Sequence, residues 1–324
     1  MPTNYHIPVL LEEVKQYLLE ENTIIKDYDI SQTVKIFDGT LGGGGYSKMI
    51  LDHKPNIHVI ASDLDPMAIE NFWDFTALKK EEYQNRISFL QMSFTEAISK
   101  QKDKSLTGIV VDLGFSSNQM EFGGRGFAYL GKDPNEPFDL RFDPTIGLPA
   151  FEKIKALKSS KELGNIIYNY SGEKLAKKVG DYLFDFVRST PRNSTVSLEQ
   201  ALGAITSAIP KQFQHKQNSI LSRIWQALRI WINDELNLLS EFLPVALDKL
   251  SPGGRLVVVD FHSLEDKIVT NWMRKLAEPI KVDQYGQKTF LTKLKTRRGI
   301  EPSLDEVTRN PRSRSATLRC LEKC

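Results

Sequence analysis

Four features of the sequence combine residue types and spacings that can do chemistry. The stretch "FDGTLGGGGYS", Phe37 to Ser47, places four consecutive glycines, Gly42 to Gly45, just after Asp38. Asp63 closes the run "IHVIASD", Asp112 closes the apolar run of "GIVVDLG", and "FHSLED" presents His262, Ser263 and Glu265 after "SPGGRLVVVDF". Glycine loses more backbone freedom on folding than any other residue, so four together mark a turn to which something approaches closely.

The glycine run matches neither of two common fingerprints. A phosphate-binding P-loop needs Lys and then Ser or Thr after its last glycine, and Gly45 is followed by Tyr46 and Ser47. The dinucleotide fingerprint needs a third glycine three residues after the second; those positions hold Ser47 or Lys48. An acid at the end of the second strand accepts hydrogen bonds from ribose hydroxyls, which gives Asp63 a role with either a nicotinamide dinucleotide or S-adenosylmethionine. The first carries a pyrophosphate and the second a zwitterionic methionine tail. Exposed loop N–H groups suit the tail's carboxylate, and Asp38 with the other strand-end acids suits its ammonium, which favours the methyl donor. The five histidines show no metal-ligand spacing and none neighbours a cysteine, so no zinc site is expected.

These residues need a scaffold. "VKIFD" (34–38), "IHVIASD" (57–63), "RISFLQ" (86–91) and "GIVVDLG" (108–114) read as buried parallel strands, with "PMAIENFWDF" and "FTEAISK" as connecting helices. Asp65 and Pro66 read as an N-cap and a first-turn proline. The alternation predicts an α/β, doubly wound sheet. From about Gln119 to Asn218 the strand pattern stops, and a Gly/Pro/Asp-rich loop and helical segments follow, which predicts a helical insertion. The sheet resumes with a long helix or helix pair divided near Pro244. Next come the strand "SPGGRLVVVDF", a helix with Ser263 and Asp266 placed like a capping box, and a final strand "SATLRCLEK". The expected domains are 1–118 with 219–324, and an inserted 119–218.

Composition narrows the class. The chain is 40% hydrophobic and 26% charged, as in a soluble globular protein, and no apolar run is long enough to span a membrane. The N-terminus reads as neither a secretory signal nor an Arg-rich presequence. Cys320 and Cys324 are the only cysteines, which fits a reducing compartment. Residues Lys281 to Cys324 hold 11 Lys/Arg against 5 Asp/Glu, so a basic end on a near-neutral body points to an anionic partner such as nucleic acid, or to a solvated surface.

In order along the chain stand "HIPVLLEEV", "DGTLGGGGYS", "DLDP", "DLGFSSNQM…RGFAY", "PFDLRFDP", "RIWQALRIWINDEL", "SPGGRLVVVDFHSLEDK" and "NPRSRSATLR". Together they resemble the ribosomal RNA small subunit methyltransferase H family, also called MraW, over nearly the whole chain. The resemblance implies a class I S-adenosylmethionine-dependent methyltransferase domain, a Rossmann-like sheet interrupted by a helical substrate-recognition domain. It implies methylation of N4 of a cytidine in the decoding region of 16S ribosomal RNA within the small subunit, in a bacterial cytoplasm or a mitochondrial matrix; the sequence leaves monomer and homodimer both open. It carries the donor site onto Gly44, Gly45, Tyr46, Asp63, Phe94, Asp112 and Gln119. Asp112 and His262 are the candidate catalytic residues, with Ser263, Glu265, Phe115, Ser116 and Ser117 as candidate walls of the cytosine pocket or as caps and core. Arg297, Arg298, Arg312 and Arg314 are candidate phosphate contacts, as are Lys177, Lys178, Arg188 and Arg192 of the insertion. Arg223 and Arg229 read as phosphate contacts or a polar helix face, and Trp225, Leu228 and Trp231 as core. Tyr46 stands where the family usually has His, and "PFDLRFD" where it usually has "PLDMRMD". The alternative reading is a catalytically impaired, RNA-binding ribosome-assembly factor.

Overall fold

The computed structural model describes residues 8–27, 29, 31–116, 119, 124–128, 133–191 and 194–324. Ser117 and Arg192 lie outside them. The chain divides into two compact units, Met1–Gly114 with Leu236–Cys324, and Phe115–Glu235.

The first unit is built on a seven-stranded sheet. Its strands are β1 (Val34–Asp38), β2 (Ile57–Asp63), β3 (Ile87–Gln91), β4 (Leu106–Asp112), β5 (Leu250–Asp260), β8 (Thr292–Leu294) and β9 (Thr317–Lys323). A separate hairpin comprises β6 (Pro279–Val282) and β7 (Lys288–Phe290). The sheet order is β3-β2-β1-β4-β5-β9-β8. Strands β1 to β5 run parallel, and β9 is antiparallel to both its neighbours. This is the class I methyltransferase arrangement that the resemblance implies. Apolar runs read as parallel strands because both faces are covered. Val110, Val257 and Val259 pack into the cluster holding Ile50, Leu51 and Phe72. Their chain neighbours Val111, Leu256 and Val258 pack on the other face with Phe242, Val269 and Met273. The order reverses at β1: β2 lies on one side and β4 on the other, and ligands of open α/β sheets bind outside the carboxyl ends of strands at such a switch point.

Among its described residues the second unit has helices and no strand; Pro137 and Ser197 form one isolated bridge. Helices Ser160–Ser171 and Ala176–Ser189 approach closely because Gly180 faces Gly164, where an added Cβ would sit 2.6 Å from the Gly164 nitrogen. The helix Gln217–Asn233 places Ile220, Leu221, Ile224, Trp225 and Leu228 in the same core. That packing moves the expected boundary at 218/219 to Glu235/Leu236, and the first boundary falls at Gly114/Phe115. The long helical stretch also breaks elsewhere than expected. It divides at Asp234, which is left-handed with φ 53°, and Pro244 lies inside the following helix Glu235–Lys249. Burial of Leu239, Phe242, Leu243 and Leu247 offsets the cost of an interior proline.

Candidate active site

The glycine loop joins β1 to the helix Gly45–His53. Gly42 and Gly44 have φ of 51° and 82°, a left-handed backbone that L side chains rarely adopt. A Cβ on Gly44 would lie 2.4 Å from the Phe72 ring, while one on Gly43 would meet nothing within 4 Å, so the loop packs inward at Gly44 and opens outward at Gly43. Its shape is held by Gly42 N–H donating to Asp63 Oδ2 at 2.7 Å, Leu41 N–H to Ser62 O at 2.9 Å, and Gly44 N–H to Leu41 O at 2.7 Å.

Three acids end the three adjacent strands β2, β1 and β4. Asp38 is buried and accepts from Ser47 Oγ at 2.6 Å and Thr40 N–H at 3.2 Å. Asp63 accepts from Gly42 N–H, and its Oδ1 accepts from Asp65 N–H at 2.8 Å. Burial pushes both carboxyls up to about 6. Asp65 and Asp38 add to this at Asp63, where like charges crowd together. Asp112 is pushed well above the usual carboxylate range by burial, then by Asp38 and Glu265. Thr40 ties β1 to β4: its Oγ1 accepts from Asp112 N–H at 2.7 Å. Asp112 Oδ1 is buried without a hydrogen-bond partner among the described residues.

The end of β5 adds Asp260, which sequence reasoning did not single out. It is 1% exposed, its Oδ2 has no hydrogen-bond partner among the described residues, and burial with nearby Asp266 and Glu265 pushes it up to about 8. The signal was present: β1, β2, β4 and β5 are apolar runs that each end in Asp.

The "FHSLED" segment corrects the expected cap. His262, not Ser263, is the N-cap of helix Ser263–Leu276; its Nδ1 accepts from Glu265 N–H at 3.4 Å. Glu265 reaches back, its Oε2 accepting from Phe261 N–H at 3.0 Å. Asp266 instead holds Arg319 Nε at 2.5 Å, joining the helix to β9. His262 Nε2 lies 3.2 Å from Glu265 Oε1 but without hydrogen-bond alignment, so among the described residues it remains a buried, unfilled group. Since Nδ1 accepts, Nε2 carries the proton in the neutral ring.

The other predicted positions separate clearly. Tyr46 is buried, and its hydroxyl donates to Val9 O; only its backbone N–H, in the first helical turn where such groups lack intrahelical partners, remains for a ligand. Gly45 begins the same helix, and Pro8 packs against it where a side chain would lie. Phe94 follows the cap Ser93 and packs edge-on against Phe242, with its Cβ 3.1 Å from where a Gly39 Cβ would stand, so it lies near the β1 end. Gln119 belongs to the second unit, where its Oε1 accepts from Ser116 N–H at 2.9 Å. Phe115 stacks on Phe127 with the Arg229 guanidinium 4.8 Å from its ring. Asp65 is not an N-cap: helix Ala68–Phe75 starts later, and Asp65 Oδ1 accepts from Met67 N–H at 3.1 Å.

Several candidate phosphate contacts are engaged internally. Arg229 is buried and bidentate to Glu235 at 2.8 and 2.9 Å, and Arg223 Nη2 contacts Glu173 at 2.5 Å. Arg188 donates to Lys155 O and lies over Phe184. Trp225 is core, its Nε1 donating to Gly126 O at 2.8 Å. Arg297, Arg298 and Arg314 are exposed, and Arg312 is half-buried.

The sequence profile of the MraW methylase family matches residues 3–324. Proteins named ribosomal RNA small subunit methyltransferase H are similar over nearly their full extent. That of Synechococcus elongatus is 34% identical over 319 residues, covering 98% of this chain and 95% of that protein. That of Rickettsia canadensis is 34% identical over 326 residues, with 98% and 97% covered, and that of Thermotoga neapolitana 33% over 326, with 99% and 96% covered. With the glycine loop, the strand-end acids and the sheet order in place along this full-length match, the chain belongs to the MraW methylase family.

Proposed function

We propose that this protein transfers a methyl group from S-adenosylmethionine to N4 of a cytidine in the decoding region of small-subunit ribosomal RNA. The observation that carries the reading is the set of acids at the carboxyl ends of β2, β1 and β4, buried at Asp38 and half-buried at Asp63 and Asp112, beside an open glycine turn. Asp38 and Asp63 crowd negative charge that a cationic ligand relieves. Each Asp63 oxygen already accepts one N–H and keeps capacity for a ribose hydroxyl. The Gly45 and Tyr46 N–H groups open the helix and suit a carboxylate. When bound there, S-adenosylmethionine supplies an electrophilic methyl group on a sulfonium.

The chain's own residues then act on the acceptor. Cytosine N4 is a poor nucleophile because its lone pair is delocalised into the ring. Asp112 Oδ1, buried and unfilled, accepts an N–H of that amine and favours a localised, attacking lone pair. The His262 Nε2–H, also unfilled, donates to a ring acceptor of the base and holds its plane. Proximity and alignment of this kind supply much of an enzymatic rate. The second unit is a substrate-recognition element in this reading, and the target base is unpaired or flipped before reaction.

The test is mass spectrometry of nucleosides from small subunits incubated with the protein and methyl-labelled donor. Label on N4 of cytidine is expected. Label at C5, on a ribose 2′-hydroxyl or on protein overturns the reading.

A further inference from the structure

The β6–β7 hairpin has no part in the site described above. Every residue of β6 is exposed, and the strand pairs only with β7, away from the main sheet. It leaves large apolar groups in solvent: Ile280 is 64% exposed, Val282 54% and Tyr285 85%. A two-stranded hairpin with no packed face is marginally stable in water, so a hairpin that keeps this much apolar surface in solvent is suited to a partner. Its tip is nevertheless firmly built. Asp283 Oδ1 accepts from Tyr285 N–H at 2.9 Å and Gln287 N–H at 2.8 Å, Gly286 N–H donates to Asp283 O at 3.0 Å, and Gly286 takes φ 81°. The backbone of Tyr285 is thus fixed while its ring stands in solvent.

Charge selects the partner. From Pro279 to Arg298 there are six Lys/Arg and one acid, Asp283, whose carboxylate is turned onto the backbone. Lys295 is paired with Glu322. Lys281, Lys288, Lys293, Arg297 and Arg298 are exposed, and no salt bridge joins them to an acid among the described residues. Lys288 stands directly across from Val282, and Lys281 from Thr289. Lysines on free strand edges oppose pairing with a second copy of the chain, and two copies would bring like charges together. An exposed aromatic ring on a hydrogen-bonded turn, among cations that form no salt bridge among the described residues, matches single-stranded nucleic acid, where bases stack and phosphates neutralise.

We propose that the hairpin Pro279–Phe290 is an RNA-binding arm, with Tyr285 stacking on an unpaired base of the ribosomal RNA substrate and Lys281 and Lys288 contacting flanking phosphates. The proposal rests on the reading that the substrate is RNA. It assigns to the arm affinity for RNA and no part in methyl transfer.

The experiment compares wild type, Tyr285→Ala, Tyr285→Trp and the pair Lys281→Ala/Lys288→Ala for binding to, and methylation of, small ribosomal subunits that lack the modification. Calorimetry with S-adenosylmethionine and a thermal melt serve as controls. Tyr285→Ala is expected to raise KM for subunits about 5- to 160-fold, the range for one lost base stack, while kcat at saturating subunits and donor affinity stay at wild-type values. Tyr285→Trp is expected to restore KM. The lysine pair is expected to reduce the slope of log affinity against log salt by about 1.4, for two phosphates on a single strand. If the wild type methylates subunits and the variants match it in KM and salt slope, the arm is not an RNA contact and the enzymatic reading stands. If Tyr285→Ala instead abolishes a concentration-dependent dimer and leaves KM unchanged, the surface serves self-association and the proposal is overturned. If wild type binds no subunits at all, the RNA reading itself fails.

Discussion

The Gly42 amide donates to Asp63 Oδ2 at 2.7 Å, so the carboxylate that ends β2 also fixes the glycine loop. In the proposed reading, where Asp63 holds a ribose, replacing it removes a ligand contact and loosens the loop. Asp63→Ala is expected to weaken S-adenosylmethionine binding by about 1.5–3 kcal/mol, the scale of a hydrogen bond to a charged group. Titration calorimetry checks this, and unchanged affinity removes Asp63 from the site.

Proton uptake by the strand-end acids sets the pH dependence. Asp38 and Asp63 are pushed up to about 6 and Asp260 to about 8, all chiefly by burial. In the unfolded chain these carboxyls titrate near about 3.9, so between that pH and the raised values the folded state binds more protons. Their contribution to stability is therefore fully present below pH of about 4 and is lost as pH rises through about 6 and then about 8. Each group contributes at most about 1.4 kcal/mol per pH unit. Melts of the ligand-free protein should show stability falling from pH 5 to 8, with a shallower fall between 6 and 8 in Asp260→Asn. A cationic donor favours the ionised forms of Asp38 and Asp63, so its affinity should rise from pH 5 to 7. Its binding should release protons, measurable by calorimetry in buffers of different ionisation heat.

The parallel strands were legible in the sequence because both their faces are buried. Val34–Asp38 and Ile57–Asp63 have the bounds their apolar runs mark, and the strand-end acids follow from where those runs stop. The hairpin Pro279–Phe290 was not legible, since short exposed strands carry neither an apolar run nor an apolar/polar alternation. The cap at His262 was hidden for another reason. Ser263 is the commoner capping residue by type, and only the position of Glu265 N–H beside the imidazole decides between them. Asp234 as the helix break was likewise masked by the more conspicuous Pro244, which core packing overrides.

Asp112 tests the chemical step. Its Oδ1 is buried and unfilled, and its backbone N–H is already held by Thr40. Asp112→Ala should lower the single-turnover rate of methyl transfer by about 10²- to 10⁴-fold, the range for a positioned proton-accepting group. Transfer at the wild-type rate would place the acceptor site elsewhere in the protein.

Tyr46 separates structure from ligand contact. Its hydroxyl donates to Val9 O from a buried position, so Tyr46→Phe leaves a carbonyl without that donor. A loss of about 1–3 kcal/mol in folding stability is expected, with donor affinity unchanged, since the proposed site uses only the Tyr46 backbone. A variant of wild-type stability that binds the donor poorly would reverse this assignment and give the phenol a direct role.

Arg229 distinguishes a structural cation from an RNA contact within one helix. Its guanidinium is buried, holds Glu235 through two hydrogen bonds and lies over the Phe115 ring. Removing one member of a buried ion pair typically costs about 3–5 kcal/mol because the remaining charge loses its compensation. Arg229→Ala should show that loss in a denaturant titration, and Arg229→Ala/Glu235→Ala should recover part of it. Arg229→Lys should lose less than Ala but more than nothing, since an ammonium cannot reproduce the planar two-point grip. RNA binding by the folded fraction should keep the wild-type salt slope, whereas a true phosphate contact would lower that slope by about 1 when removed. A stable Arg229→Ala protein with a reduced salt slope would transfer this residue from the core of the second unit to the RNA interface.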